Sequence, residues 1–372
     1  MKKNQYGLTF CNPTKTYNGY TLFAPLGCND VWLINMQGQL VHHWEMPDKP
    51  GCYARLLPNG HLLYACRMDA TKREKIGAPK LSGFGGIIRE VDWNDKLIWE
   101  YKDPFLHHDF CRMENGNTMV LRYIRVPREI MSKLKGGVKG TEDKGNKMWC
   151  ASFNEITPEG DVVWKWLSYE HLDPIEDSIC PLCDRREWTH GNTCVVLSNG
   201  DILTSFRNLN LICIIDKETG NIKWRWGRGL AELAHQHDPY FLDNGNILIF
   251  DNGAHRAATE INCSIVIELD PKTKKIVWEY RSEPTADFYS AACSGAQRLL
   301  NGNTLICSTT QARIFEITTK GEIVWEYINP FFGKMEQGIV NWIFRAYRYG
   351  PDYPGLKDKK FHPEKLDSWN NM

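Results

Sequence analysis

The chain has 372 residues, its 45 basic and 45 acidic side chains cancel, and 42% of it is hydrophobic and 12% aromatic. That composition fills a large core and excludes a disordered chain, while the missing basic excess excludes an electrostatic nucleic-acid binder. No run approaches the roughly 18 to 20 apolar residues of a membrane-spanning helix and residues 1–7 lead into no apolar secretory segment, so the expected setting is the cytoplasm, with no membrane partner. Thirteen cysteines are an odd number thinly spread. Cys66, Cys111, Cys194, Cys213 and Cys307 lie in apolar runs, where a reduced cysteine acts as a small hydrophobe.

Taken in chain order, the predicted elements repeat. Asn-Gly pairs between short β-rich runs start at Asn18, Asn59, Asn115, Asn199, Asn244 and Asn301, and each reads as two antiparallel strands around a tight turn. A second hairpin follows each one and ends in Trp44, Trp99, Trp164, Trp224, Trp278 or Trp325. A further aromatic commonly stands two residues on, which puts both rings on one face of the strand. Six such pairs of hairpins predict an all-β fold, a six-bladed β-propeller of four-stranded blades occupying residues 1–372 as one domain. Radial repetition buries sheet faces that a lone four-stranded sheet would expose. A long β-sandwich or solenoid is the competing reading.

Three stretches depart from the repeat. Residues 124–149 form an insertion in the third unit with seven basic residues; they read as a solvated surface loop, with a lid as the alternative. Residues 168–187 carry Cys180-Pro-Leu-Cys183. The C-terminal extension 330–372 contains Gly338 to Tyr349, whose apolar residues at helix-like spacing predict a short helical segment.

In a propeller the first strand of each blade lines the channel, so positions at a fixed distance from each Asn-Gly turn should converge. Seven residues before the turn stand Cys52, His108, Asn192, His237 and Ser294, with His190 and His235 two residues earlier in their copies and His107 beside His108. About eight residues after the turn the antiparallel strand returns Arg67, Tyr123, Arg207, Asn252 and Thr309, with Arg122 beside Tyr123. A pocket of His, Arg and Asn implies an anionic ligand, because guanidinium groups lacking matched carboxylates are costly to dehydrate. An imidazole beside arginine stays neutral near pH 7 and can act as a nucleophile, while arginine binds a tetrahedral anion through paired hydrogen bonds.

These residues resemble the bacterial arylsulfotransferases. The likeness is carried by HHDF at His107 to Phe110, WTHGNT at Trp188 to Thr193, SFRN at Ser205 to Asn208, HQHDPYFLDNGNILIFDNG from His235 to Gly253, and VWLINMQGQLVHHW at Val31 to Trp44. The resemblance implies a six-bladed propeller that moves a sulfuryl group from an aryl sulfate to a phenolic acceptor, with no nucleotide donor and no cofactor. It implies that His237 is transiently sulfated, that His190, Asn192 and Arg207 surround the donor sulfate, and that His107 or His108 handles the phenol proton. Arg67, Arg122, Tyr123 and Asn252 complete the expected substrate pocket. The similar periplasmic members have a secretion signal, an extra amino-terminal β domain and a disulfide near the site; the first two are not expected here, and a reducing cytoplasm disfavours a Cys180–Cys183 bridge.

Other classes compete with this reading. One is a metal-dependent lyase or hydrolase in which His108, His190 and His237 bind a divalent ion such as zinc; Cys180 and Cys183 with His190 also make a weak zinc pattern. Another is a noncatalytic propeller that binds a partner protein. A third takes DKETGNIKW at Asp216 to Trp224 as a sign of a quinone-dependent dehydrogenase, although one hairpin in six has it.

Overall fold

The computed structural model describes residues 6–83, 85–227, 232–256, 261–336, 338–361 and 363–364. It is all-β, with five four-stranded sheets and one sheet of five strands, the six-bladed β-propeller arrangement expected from the repeat. The chain divides into two compact units, one of residues 1–67, 87–101 and 280–372, the other of residues 68–86 and 102–279. The first unit holds the sheets built on Tyr20–Pro25, Pro50–Leu56 and Gly295–Arg298. The second holds those that start at Leu106–Arg112, Gly191–Val196 and His237–Phe241.

Five of the six Asn-Gly pairs close hairpins of one design. The residue two before the asparagine (Leu57, Met113, Leu197, Leu242 or Leu299) accepts from the glycine N–H and donates to the carbonyl two residues after the asparagine. The asparagine Oδ1 takes the N–H of that later residue. Gly60, Gly116, Gly200, Gly245 and Gly302 sit at φ of +83° to +88°, a left-handed position that glycine fills without steric cost. Tryptophans then tie neighbouring sheets together. The indole N–H groups of Trp44, Trp164, Trp224 and Trp325 donate to the carbonyls of Asp92, Lys217, Pro271 and Met36, each in a turn of the next sheet.

The sixth pair, Asn18-Gly19, closes no hairpin. Tyr20–Pro25 pairs with Ile343–Tyr349, and Gly7–Cys11 pairs with Ile323–Ile328, so each chain end completes a sheet begun at the other. The expected C-terminal helical segment is therefore a strand, preceded by the short hairpin Gly333–Met335 and Gly338–Val340. Ile343 to Arg348 are all buried. With both faces covered, the polar-apolar alternation that marks a strand is lost and the pattern mimics a helix.

Arg348 fixes this closing strand. Its guanidinium pairs with Glu316 at zero exposure of both side chains, and Glu316 also accepts from the Tyr17 N–H and the Asn303 amide. Removing the carboxylate leaves a buried cation uncompensated. Glu316→Leu is expected to destabilise the fold by about 3–5 kcal/mol, read as a lower urea midpoint; an unchanged midpoint would refute the role given to the pair.

The 124–149 insertion is not the solvated loop expected of it. It contains the helical turn Arg128–Met131 and the strand Gly136–Val138, which pairs in parallel with Ile179–Asp184. Val126, Leu134 and Met148 are buried in the core cluster that also holds Cys180 and Cys183. Three well-spaced apolar side chains outweigh the basic character of the stretch, because they bury while the lysines reach solvent.

Candidate active site

Three first strands of the second unit, Leu106–Arg112, Gly191–Val196 and His237–Phe241, begin irregularly. Their pairing with the next strand breaks register between Leu106 and Phe110, between Gly191 and Thr193, and between His237 and Tyr240. A bulge at a strand start re-aims the side chains there. His108, His190, His235 and Asp238 take φ of +52°, +48°, +64° and +54°. Strained non-glycine positions collect at functional sites, where surrounding contacts hold them.

The first cluster is a line of rings, buried at His107 and His108 and 12% exposed at His190. His107 Nδ1 lies 2.8 Å from His108 Nδ1, the His108 and His190 ring centres are 4.6 Å apart, and His190 Nδ1 is 2.9 Å from Glu187 Oε2. His107 also stacks on Tyr123 at 3.8 Å. Gly83 lets the loop before the strand close over His108, since a Cβ there would sit 2.2 Å from the ring nitrogen. Burial pushes His107 down to about 3, and burial followed by the Arg207 guanidinium holds His190 well below the usual imidazole value. Both rings are thus neutral near pH 7. Glu187 moves the other way, raised by burial to about 7, so its contact with His190 is a shared proton more than an ion pair.

The Glu187 shift has a stability consequence. A carboxyl whose folded pKa lies above its unfolded value stabilises the fold fully below about 4.5, and that contribution is lost as pH rises through about 7. The loss between pH 5 and pH 8 is of the order of 3 kcal/mol. Urea unfolding at those two pH values is expected to show it as a difference between the wild type and Glu187→Gln, since the opposite pH dependence of the buried histidines is common to both. Equal pH dependence in the two proteins would contradict the assignment.

The second cluster centres on His237. Its Nδ1 lies 2.7 Å from Asn252 Oδ1 and 3.1 Å from the His235 carbonyl. Two acceptors require that Nδ1 carry the proton, which leaves the lone pair on Nε2. The two sequence columns meet here as neighbouring strands of one sheet. They meet again at Ser294 and Thr309, 3.2 Å apart in the other unit, where both partners are hydroxyls. Asn192 donates its amide to the Gln236 carbonyl, latching the sheet of His190 to that of His237.

The arginines separate. Arg207 has no carboxylate within salt-bridge distance among the described residues; its Nη1 donates to Asn208 Oδ1 and its backbone N–H to the His190 carbonyl. Arg122 is ion-paired with Asp103 and lies over Phe105, so it is not the unmatched cation expected from its column. Tyr123 donates its hydroxyl to the Ser82 carbonyl. Arg67 belongs to the other unit, where it donates to the Pro50 carbonyl and lies against Met335 sulfur. Sequence reasoning missed Glu187, which stands three residues before His190, and buried Arg73, which donates to the carbonyls of Pro104 and Gly85.

A metal-capable set does exist among the described residues, and it is not the trio His108, His190 and His237. It comprises Cys180, Cys183, His235 and His255. No disulfide joins any of the thirteen cysteines. Hydrogen bonding from Cys183 draws the Cys180 thiol down.

Neutral imidazoles at the strand starts of a β-propeller, with the Arg207 guanidinium near His190, have the chemistry of a group-transfer site. The family comparison agrees with that class. The chain belongs to the arylsulfotransferase (ASST) family, whose model matches residues 74–330, and membership supports sulfotransferase activity on small molecules in general. No curated protein matches the chain. Among solved structures it is similar to a protein of unknown function from Bacteroides caccae, at 13% identity and a TM-score of 0.54 over 89% of this chain and 98% of that one. It is also similar to virginiamycin B lyase from Staphylococcus aureus, at 11% identity and a TM-score of 0.47 over 88% and 90%. The first is a likeness of fold alone. No described helix is long and apolar enough to cross a membrane.

Proposed function

We propose that the protein is an aryl-sulfate sulfotransferase that works through a sulfo-histidine at His237, with no nucleotide donor. The observation that supports the reading is the pinned His237 Nδ1, whose two acceptors put the ring's lone pair on Nε2, the atom proposed to attack. Nε2 attacks the sulfur of an aryl sulfate, the N–S bond forms, the S–O bond to the ring breaks, and the electron pair leaves with the phenolate oxygen. Arg207 stabilises the charge on the nonbridging oxygens. His190 delivers a proton to the leaving oxygen from Nε2 and recovers one at Nδ1 from Glu187, the carboxyl that titrates near neutrality.

The second half runs in reverse. An acceptor phenol gives its proton to His190, its oxygen attacks sulfur, and the N–S bond breaks. His108, which lies against His190, guides the phenol, while His107 supports it from behind by stacking on Tyr123. Neutral imidazoles suit this chemistry because each offers one donor and one acceptor at working pH. Incubation with a chromogenic aryl sulfate and a phenol tests the reading. Ping-pong kinetics and a sulfo adduct in the intact mass without acceptor are expected; neither turnover nor adduct would sink it.

A further inference from the structure

We propose that Cys180, Cys183, His235 and His255 form a closed structural zinc site beside the candidate nucleophile. Cys180 Sγ lies 3.6 Å from His255 Nδ1, and Cys183 Sγ lies 3.6 Å from His235 Nε2 and 3.8 Å from His255 Nδ1. The four ligand atoms all fall within 4.8 Å of one another. Zinc bonds of about 2.3 Å to sulfur and 2.0–2.1 Å to nitrogen, set tetrahedrally, give sulfur-to-nitrogen edges of roughly 3.6 Å. The protein has already built those edges.

Local sequence explains how. Cys180-Pro-Leu-Cys183 lies on the strand Ile179–Asp184, held by the insertion through Gly136–Val138. The two histidines come from separate segments joined by the bond from the Gly253 N–H to the Ala234 carbonyl, one residue from His235 and two from His255. Gly253 also lets the segment carrying Cys263 pack against it, since a Cβ would lie 1.8 Å from the Cys263 carbonyl oxygen. Both histidines then adopt left-handed φ, +64° and +60°, which turns their rings toward the sulfurs. His235 is fully buried and its Nδ1 has no partner, so its ring serves nothing among the described residues outside this cluster.

Two thiolates and two imidazoles with no carboxylate select a soft tetrahedral ion over magnesium, calcium or manganese. Four protein ligands leave no open position, so the ion does not activate water. Binding displaces the two thiol protons and joins segments as much as 75 residues apart in sequence. The His235 carbonyl accepts from His237 Nδ1, so zinc also steadies the group that orients the nucleophile. That steadying role rests on the proposed function; the zinc site does not.

The test uses the full chain purified under reducing conditions, loaded with zinc and dialysed. Elemental analysis is expected to find one zinc per chain, released by a mercurial in step with thiol titration, and the cobalt-loaded protein is expected to show thiolate-to-cobalt charge-transfer absorption. Cys180→Ser with Cys183→Ser should lose the metal, while Cys111→Ser should keep it. Should the double variant fail to fold, His255→Ala, which alters a less buried ligand, is expected to lose its zinc on dialysis. Failure of the intact chain to retain zinc, a Cys180–Cys183 disulfide in the reduced preparation, or undiminished zinc in the variants would overturn the site. Metal content is read without substrate, so zinc bound without turnover overturns sulfuryl transfer alone, and turnover in a chain that retains no zinc overturns the zinc site alone.

Discussion

Replacing His237 with alanine is expected to abolish the sulfo adduct and to lower turnover of an aryl sulfate on the order of 10⁴-fold or more, the scale seen when a covalent nucleophile is removed. The effect should fall on both half-reactions, because the same nitrogen accepts and gives up the sulfuryl group. A structural explanation predicts something else. His237 is 2% exposed, and truncation leaves a small cavity that costs stability but not the chemistry of a folded remainder. Thermal unfolding of the variant separates the two: a folded protein that forms no adduct supports the nucleophile, and a folded protein that still forms it refutes the assignment. Asn252→Ala offers an intermediate case. Nδ1 keeps the His235 carbonyl, so the ring is loosened, not removed, and a loss of about 10- to 100-fold with the adduct still formed is the expected result.

The parts of the site that were legible in the sequence are those locked to the repeat. Asn-Gly turns fix strand register, and fixed register aligns positions before and after the turn, so His237 and Asn252 could be placed side by side without coordinates. The same device pairs Tyr123 with His108, whereas in the fold Tyr123 stacks on the neighbouring His107. What lies outside the repeat was not legible. Glu187 and Cys180 belong to the connection between two sheets, and His255 to the loop after the FDNG segment, where no period carries a position forward. The zinc pattern was visible as Cys180 and Cys183, but its histidine was sought at His190, the nearest in sequence. In the fold the Nδ1 of His190 is taken by Glu187, and the imidazoles that face the sulfurs come from 52 and 75 residues away. Arg122 shows the limit of counting along a strand: the count gives its place on the strand, but the turn carrying Asp103 supplies a carboxylate that no spacing rule places there. The closing strand was misread for a different reason, since a strand covered on both faces has no polar side to reveal its period.

Arg207→Ala is expected to reduce kcat/KM for aryl sulfates by about 10²- to 10³-fold, the usual cost of removing one group that stabilises transition-state charge. Arg207 is suited to that role because no carboxylate neutralises it among the described residues, in contrast to Arg122, Arg185, Arg256 and Arg348. Its removal has a second effect, on the pH profile. Burial and, after it, the guanidinium hold the imidazoles of His190 and His235 down, so without Arg207 His190 rises part of the way while burial still holds it below the ordinary imidazole value. A protonated His190 still serves as the acid for the leaving phenolate but cannot take the proton of the acceptor phenol. The variant should therefore lose acceptor turnover on acidification at a higher pH than the wild type does, while adduct formation is less affected. Arg207→Lys restores charge without the planar fork that grips two oxygens, so it should restore the pH profile more fully than the rate. Equal recovery of both by lysine would mean that Arg207 acts only as a distant charge, and the two-point grip on the sulfuryl group would have to be given up.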